Sequence, residues 1–287
     1  EEHLTAAARG IRHPVSRGTV EFDREPGEFR GFTVAESGEC LLWVQLEGGV
    51  PPSDRTYTVG ADVSAGTGTS NSVLYVSDDR TGEQVAEIAT PYMEPDKFAA
   101  LARAVCMWFK GMGMQAGLIW ERNGGHGQHF TRKIMEMGLE NPYSDETAGQ
   151  RKEGHHTDQD KKYEGMSDLR GSVMSGRFVP RSADTVREFR RYVYVRKVGK
   201  LAVEVQGVDT ESDPSGAGEA HGDRLTAAWL CCKYQRIRKV TVENDVAELR
   251  PGSLAWMMEQ LEMQKKPERT FWRPRQGERG FTKAWAG

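Results

Sequence analysis

The sequence predicts an α/β fold, a mixed five-stranded central sheet flanked by helices with an added hairpin. Three features predict it. Short apolar runs rich in Val, Ile and Tyr recur between residues 57 and 90 with turn residues between them, the pattern of an antiparallel meander. Phe98, Leu101, Ala102, Val105 and Phe109 then repeat at helical spacing. After that helix comes Gly117-Leu118-Ile119-Trp120-Glu121, placed as a strand that has crossed over to lie parallel to an earlier one.

In chain order, residues 1–56 read as an entry or linker segment with short strands at 17–23, 31–35 and 41–46, closed by Pro51-Pro52-Ser53-Asp54. Residues 57–240 form the main domain. Its first strand is 57–63, its second 72–77, and the turn Asp78-Asp79-Arg80-Thr81-Gly82 leads to a third at 83–90. Pro95 opens a helix that Gly111 closes. The fourth strand is 116–121, Gly124-Gly125 starts a helix to about residue 137, and a short fifth strand is expected at 139–143. Thr157 caps a helix to about 176, 183–191 is a short helix, and 192–197 with 201–206 forms the hairpin. A Gly-, Ser- and Asp-rich loop, 207–222, leads to a helix opened by Asp223. Residues 241–287 hold a helix at 249–263 and a basic, aromatic-dotted tail whose composition fits disorder.

Charge is more informative in its distribution than in its total of -3. Residues 177–200 carry eight basic side chains, among them Arg187, Arg190, Arg191, Arg196, Lys197 and Lys200, against only Asp184 and Glu188. Residues 264–287 carry seven against two, with Trp272 set among Arg269, Arg273 and Arg275. Such basic stretches suit a phosphate backbone, and Trp272 suits stacking on a base or a protein contact. No apolar stretch approaches the roughly 20 residues of a membrane span. Cys40, Cys106, Cys231 and Cys232 have no zinc-binding spacing and read as free thiols in a reducing cytoplasm. A first residue of Glu rather than Met reads as an excised or processed piece.

Three carboxylates sit in apolar surroundings: Asp62 in Val59-Gly60-Ala61-Asp62-Val63, Glu121 at the end of its strand, and Asp223 before Leu225-Thr226-Ala227-Ala228-Trp229. An ionised carboxylate against a core is costly unless a cation or donor satisfies it. Brought together, the three form an oxygen-rich pocket for a hard divalent cation. Each also has a plainer reading: Asp62 ending a strand, Glu121 paired with an arginine, Asp223 capping its helix. Asn123 is a candidate for orienting water or substrate, His221 for proton transfer or a phosphate contact, and Asp209 for an extra ligand. His155-His156 reads as an exposed loop.

The strand order is that of a ribonuclease H-like sheet. Tyr57-Thr58-Val59-Gly60-Ala61-Asp62-Val63, Leu118-Ile119-Trp120-Glu121-Arg122-Asn123 and His221-Gly222-Asp223-Arg224-Leu225 together resemble the nuclease domain of the large terminase subunit of tailed bacteriophages. The resemblance covers about residues 57–235. It implies a metal-dependent endonuclease, with Asp62, Glu121 and Asp223 as catalytic and metal-binding acids. The implied substrate is double-stranded DNA, cut from viral concatemers during genome packaging. The implied cofactor is Mg²⁺ or Mn²⁺, two ions per site. An upstream packaging ATPase, the portal or procapsid and the small terminase subunit are implied partners, and the host cell cytoplasm the location.

The chain departs from the family pattern at two places. Gly222 stands where many members have a second Asp, and Ser70 and Asn71 stand where many have an acid after the glycine-rich turn. The second metal is therefore expected to bind weakly until DNA supplies phosphate oxygens. No Gly-x-x-x-x-Gly-Lys-[Ser/Thr] loop is present, so the chain itself carries no ATPase signature. Two other readings remain: a different ribonuclease H-like nuclease, such as a junction resolvase or transposase, and a catalytically silent DNA-docking domain.

Overall fold

The computed structural model describes residues 2–147, 149–197, 200–205, 213–217 and 222–247. Glu1–Val240 forms one compact unit and Thr241–Gly287 a second, of which only the end of one helix is described. The elements run α1 (Glu2–Gly10), β1 (Ser16–Phe22), β2 (Phe29–Val34), β3 (Cys40–Leu42), β4 (Tyr57–Asp62), β5 (Ser72–Asp78), β6 (Gln84–Thr90) and α2 (Pro95–Trp108). They continue with β7 (Gly117–Trp120), α3 (Gly124–Glu136), β8 (Ser144–Thr147), β9 (Gln150–Glu153), α4 (Gln159–Met174), α5 (Ala183–Arg191), β10 (Tyr192–Lys197), β11 (Lys200–Val205) and α6 (Asp223–Ala247).

The central sheet has the order β2-β1-β3-β6-β5-β4-β7. It has seven strands where the sequence predicts five. The added strands come from residues 16–42: β3 pairs antiparallel with β6, Cys40 opposite Ile88, and carries β1 and β2 outward. The expected strand at 139–143 is the converse error. Pro142 makes one isolated parallel bridge to Leu118, and the chain then turns into the separate hairpin β8–β9. That hairpin reads Ser-Asp-Glu-Thr and Gln-Arg-Lys-Glu, so it offers no apolar alternation to detect.

Period-two alternation splits the core between the two faces of the sheet. Val59, Ala61, Leu74, Val76, Leu118 and Trp120 pack with α2 and α3 side chains such as Phe98, Leu101, Phe130 and Ile134. Val73, Tyr75 and Ile119 pack on the opposite face with Met166, Leu169, Val186, Phe189 and Trp229 from α4, α5 and α6. No helix among the described residues is long and apolar enough to cross a membrane. The hairpin β10–β11 is present, with Tyr192 opposite Val205 and Lys197 opposite Lys200. The helix expected at 249–263 and the basic tail lie outside the described residues.

Candidate active site

Asp62 is the last residue of β4, and β7 runs parallel beside it with Ala61 in register with Trp120. The next pair along is therefore Asp62 and Glu121, and the Glu121 N–H donates to the Ala61 carbonyl at 3.2 Å. Alternation turns both side chains away from the Val59, Ala61 and Trp120 face, toward the side that α6 covers.

The third acid arrives through a close helix–strand contact. A side chain at Gly60 would overlap the Ala227 carbonyl oxygen and come within 2.6 Å of the Cys231 amide nitrogen, so glycine lets α6 lie directly on β4. Asp62 is two residues beyond Gly60, about 6.6 Å along a strand. Asp223 is four residues before Ala227, about 6.0 Å along a helix. The two offsets match, which brings Asp223 to the Asp62 end of β4.

Asp223 is 4% exposed and satisfied by the loop before β5. The Asn71 N–H donates to its Oδ2 at 2.6 Å, and the Ser70 hydroxyl lies 3.2 Å from both oxygens. The two positions that lack an acid thus hold the third acid in place. The Ser215 hydroxyl in turn donates to the Asn71 side-chain oxygen at 2.6 Å. Arg224, the neighbour of Asp223, is buried among Glu87 (3.2 Å), Glu188 (3.1 Å) and Asp213 (2.7 Å). Glu188 also accepts the Leu225 N–H at 2.9 Å. This network locks the start of α6 against β6 and α5, and nothing in the sequence pattern singles out its members.

The pocket is strongly acidic. Burial, reinforced by the charges of Asp223, Glu121 and Glu188, pushes the Asp62 carboxyl well above the usual carboxylate range. Burial likewise raises Glu188 to about 7 despite its contact with Arg224, with Asp223 adding to the rise. Carboxylates that oppose one another's ionisation form an all-oxygen donor set, which fits a hard divalent cation. Among the described residues, no three His, Cys, Asp or Glu side chains converge into a finished metal ligand set. The backbone thus gathers the three acids at one edge without closing their side chains into a ligand set.

The other candidates distribute as follows. Asn123 is turned aside: its Nδ2 donates to the Thr157 carbonyl at 2.6 Å and its Oδ1 accepts the Thr157 N–H at 3.1 Å. It clamps the loop before α4, and both side-chain polar atoms are engaged there. His155 is 1% exposed, which corrects the exposed-loop reading. Its Nδ1 lies 2.9 Å from Asp145, and residues 154–156 extend the sheet beside Glu121, since the His155 N–H donates to Trp120 and its carbonyl accepts from Arg122. Arg187 is paired with Asp184 at 3.0 Å on α5, Arg190 is exposed, and Arg191 is half-buried. Arg196, Lys197 and Lys200 lie on the β10–β11 hairpin. Asp209 and His221 lie outside the described residues. Sequence reasoning missed an open groove of about 660 Å³ next to Glu121, lined by Arg122, Gln128, Arg132, Lys152 and His156 with Glu153. These residues are scattered over 35 positions, so no local run announces them.

This fold recurs in solved large terminase nuclease domains. That of the thermophilic phage G20c with bound magnesium matches with a TM-score of 0.54 and 16% identity, over 80% of this chain and 94% of that one. The same nuclease with bound cobalt gives 0.54 and 16%, over 80% and 96%. The nuclease domain of the Thermus phage P74-26 large terminase gives 0.50 and 15%, over 80% and 94%. No family model matches the chain, and no curated protein matches it. The chain has the ribonuclease H-like fold of the large terminase nuclease domains.

Proposed function

We propose that this chain is a metal-dependent endonuclease that hydrolyses double-stranded DNA, the nuclease part of a terminase large subunit. In this reading it cuts concatemeric viral DNA during packaging in the host cytoplasm, working with a packaging ATPase, a portal or procapsid and a small terminase subunit. The observation that carries the reading is the meeting of Asp62, Glu121 and Asp223 at one sheet edge, within a fold shared with terminase nucleases.

Asp62, central between the other two acids, would be the principal ligand of the cation. Glu121 and Asp223 would supply the further oxygen ligands, Asp223 being braced by Ser70 and Asn71. Mg²⁺ or Mn²⁺ bound there, two ions in the full complex, would polarise the scissile phosphate and activate water. The groove beside Glu121 and the basic residues Arg187, Arg190, Arg191, Arg196, Lys197 and Lys200 would supply phosphate contacts.

Supercoiled plasmid cleavage tests this. The chain should cut in Mg²⁺ or Mn²⁺ and stop on adding EDTA. Asp62→Asn should reduce the rate by about 10³-fold or more, since several kcal/mol of charge stabilisation depend on this site. Cutting that survives Asp62→Asn defeats the assignment. Preference for four-way junctions over linear duplex would favour a resolvase, and metal-independent DNA binding without cleavage would favour a docking domain.

A further inference from the structure

Lys162 lies in the first turns of α4, and its ammonium sits 5.3 Å from the centroid of the Tyr192 ring. The hydroxyl end of that ring covers Gly222, the residue before Asp223. One aromatic side chain therefore connects Lys162 to the start of α6 at the acidic edge. Among the described residues Lys162 forms no ion pair, whereas its neighbour Lys161 donates to the His156 carbonyl at 3.0 Å and stands 3.9 Å from Asp145.

We propose that Lys162 is a catalytic residue of this site, its ammonium held over the acid pocket by the Tyr192 ring so that it donates to a non-bridging oxygen of the reacting phosphate. This rests on the nuclease reading. A lysine bonded directly to Asp62 would occupy a carboxylate that the cation needs. Cation–π attraction fixes the ammonium nearby without using any carboxylate oxygen. In hydrolysis, water oxygen bonds to phosphorus and gives its proton to solvent. The P–O bond to the leaving oxygen breaks with its electron pair going to that oxygen, which takes a proton from solvent, and negative charge grows meanwhile on the phosphoryl oxygens. Lys162 takes no part in the proton transfers. Its fixed charge meets the growing one.

The test uses the whole chain as Lys162→Met and Lys162→Arg, with circular dichroism and thermal unfolding to verify the fold. Two readouts are taken, kcat and KM for duplex cleavage in Mg²⁺, and Mn²⁺ affinity by calorimetry without DNA. Lys162→Met should lower kcat about 10²-fold, the scale of losing one charge-stabilising donor, with KM within about threefold. Lys162→Arg should recover about tenfold of that loss. Mn²⁺ should bind Lys162→Met about threefold or more tightly, because a repelling charge has gone.

Unchanged kcat, a loss confined to KM, or weaker Mn²⁺ binding would each overturn the proposal. The last would make Lys162 a structural support of the acids. A wild-type chain that cuts nothing would defeat the nuclease reading itself. Calorimetry would then decide the placement of Lys162, and unchanged Mn²⁺ affinity would overturn it.

Discussion

Gly222 is where a single missing side chain shapes the acidic edge most directly. Its φ of +83° is a left-handed conformation that costs an L-residue about 1 kcal/mol. A Cβ there would also run into the phenol of Tyr192. The resemblance leads one to expect an acid at this position, and the structure gives the physical reason it is absent: the space holds a tyrosine. Burial raises the Tyr192 hydroxyl, and the charges of Glu188, Asp62 and Asp223 add to the rise, so it remains a neutral donor beside the carboxylates. Gly222→Ala should therefore lose about 2–4 kcal/mol in urea unfolding, the backbone cost plus about 1–3 kcal/mol of overpacking. In a Tyr192→Ala background only the backbone part, about 1 kcal/mol, should remain. Equal costs in both backgrounds would show that the ring does not fill this space.

Among the elements, the strip at residues 154–156 is the least expected, because it continues the sheet past β7 and borders Glu121. It is anchored by Asp145, whose Oδ1 accepts from Tyr143 Oη and faces His155 Nδ1, each at 2.9 Å, and whose Oδ2 accepts the His156 N–H at 2.8 Å. Burial lowers the His155 pKa more than Asp145 raises it, so the folded chain keeps this imidazole neutral to lower pH than the unfolded chain does. Burial pushes Asp145 upward, but its hydrogen bonds from His156, His155 and Tyr143 outweigh that and leave it below 3.8. Both groups have depressed folded values, so both contribute stability that is lost on acidification. The His155 share begins to go below about pH 6.5, where the unfolded chain takes up the proton, and the Asp145 share goes below about 3.8. His3, also lowered by burial, acts in the same sense. The raised carboxyls of Asp62 and Glu188 act in the opposite sense over the same range, so the His155 share is read as a difference. From pH 7.5 to pH 5 the urea midpoint of His155→Gln should change less in the destabilising direction than that of the unaltered chain, and identical pH dependence in the two would remove His155 from the account. Sequence legibility follows the same division. β4, β5, β6, α2, β7, α5 and the β10–β11 hairpin were readable because apolar period or turn residues mark them. The 154–156 strip, the β8–β9 hairpin and the Glu87–Arg224–Glu188–Asp213 network were not, because their residues are polar and their partners are distant in sequence. Asp62, Glu121 and Asp223 stood out because an acid in an apolar run is conspicuous, whereas Lys162 lies in an ordinary polar helix.

At the scale of the whole molecule, the open question is how much chain the acidic edge needs. The sequence sets residues 1–56 apart as an entry segment, and the main sheet begins again at Tyr57. In the structure, however, β3 hydrogen-bonds to β6 from the outside, and Val20, Cys40, Leu42 and Val44 are buried in the same core as Val59, Leu74 and Ile88. Trp43 adds a further backbone hydrogen bond, its N–H to the Val85 carbonyl at 2.9 Å. Cutting the chain at residue 57 would therefore bare the edge of β6 and strip four buried side chains from the core. At about 1.5–3 kcal/mol for each large apolar side chain, that loss is comparable with the whole stability of a domain, about 5–15 kcal/mol. A newly exposed strand edge is also a template for aggregation. A chain beginning at residue 57 should thus be insoluble, or soluble only as a species that binds hydrophobic dye and unfolds without a cooperative transition. The full chain should unfold cooperatively. Since β6 also carries Glu87, which holds Arg224 beside Asp223, the shortened chain should lose the proposed metal-dependent cleavage along with its fold. A monomeric 57–287 chain with the full-length urea midpoint and full cleavage would show instead that β1 to β3 are an attachment on a self-sufficient sheet.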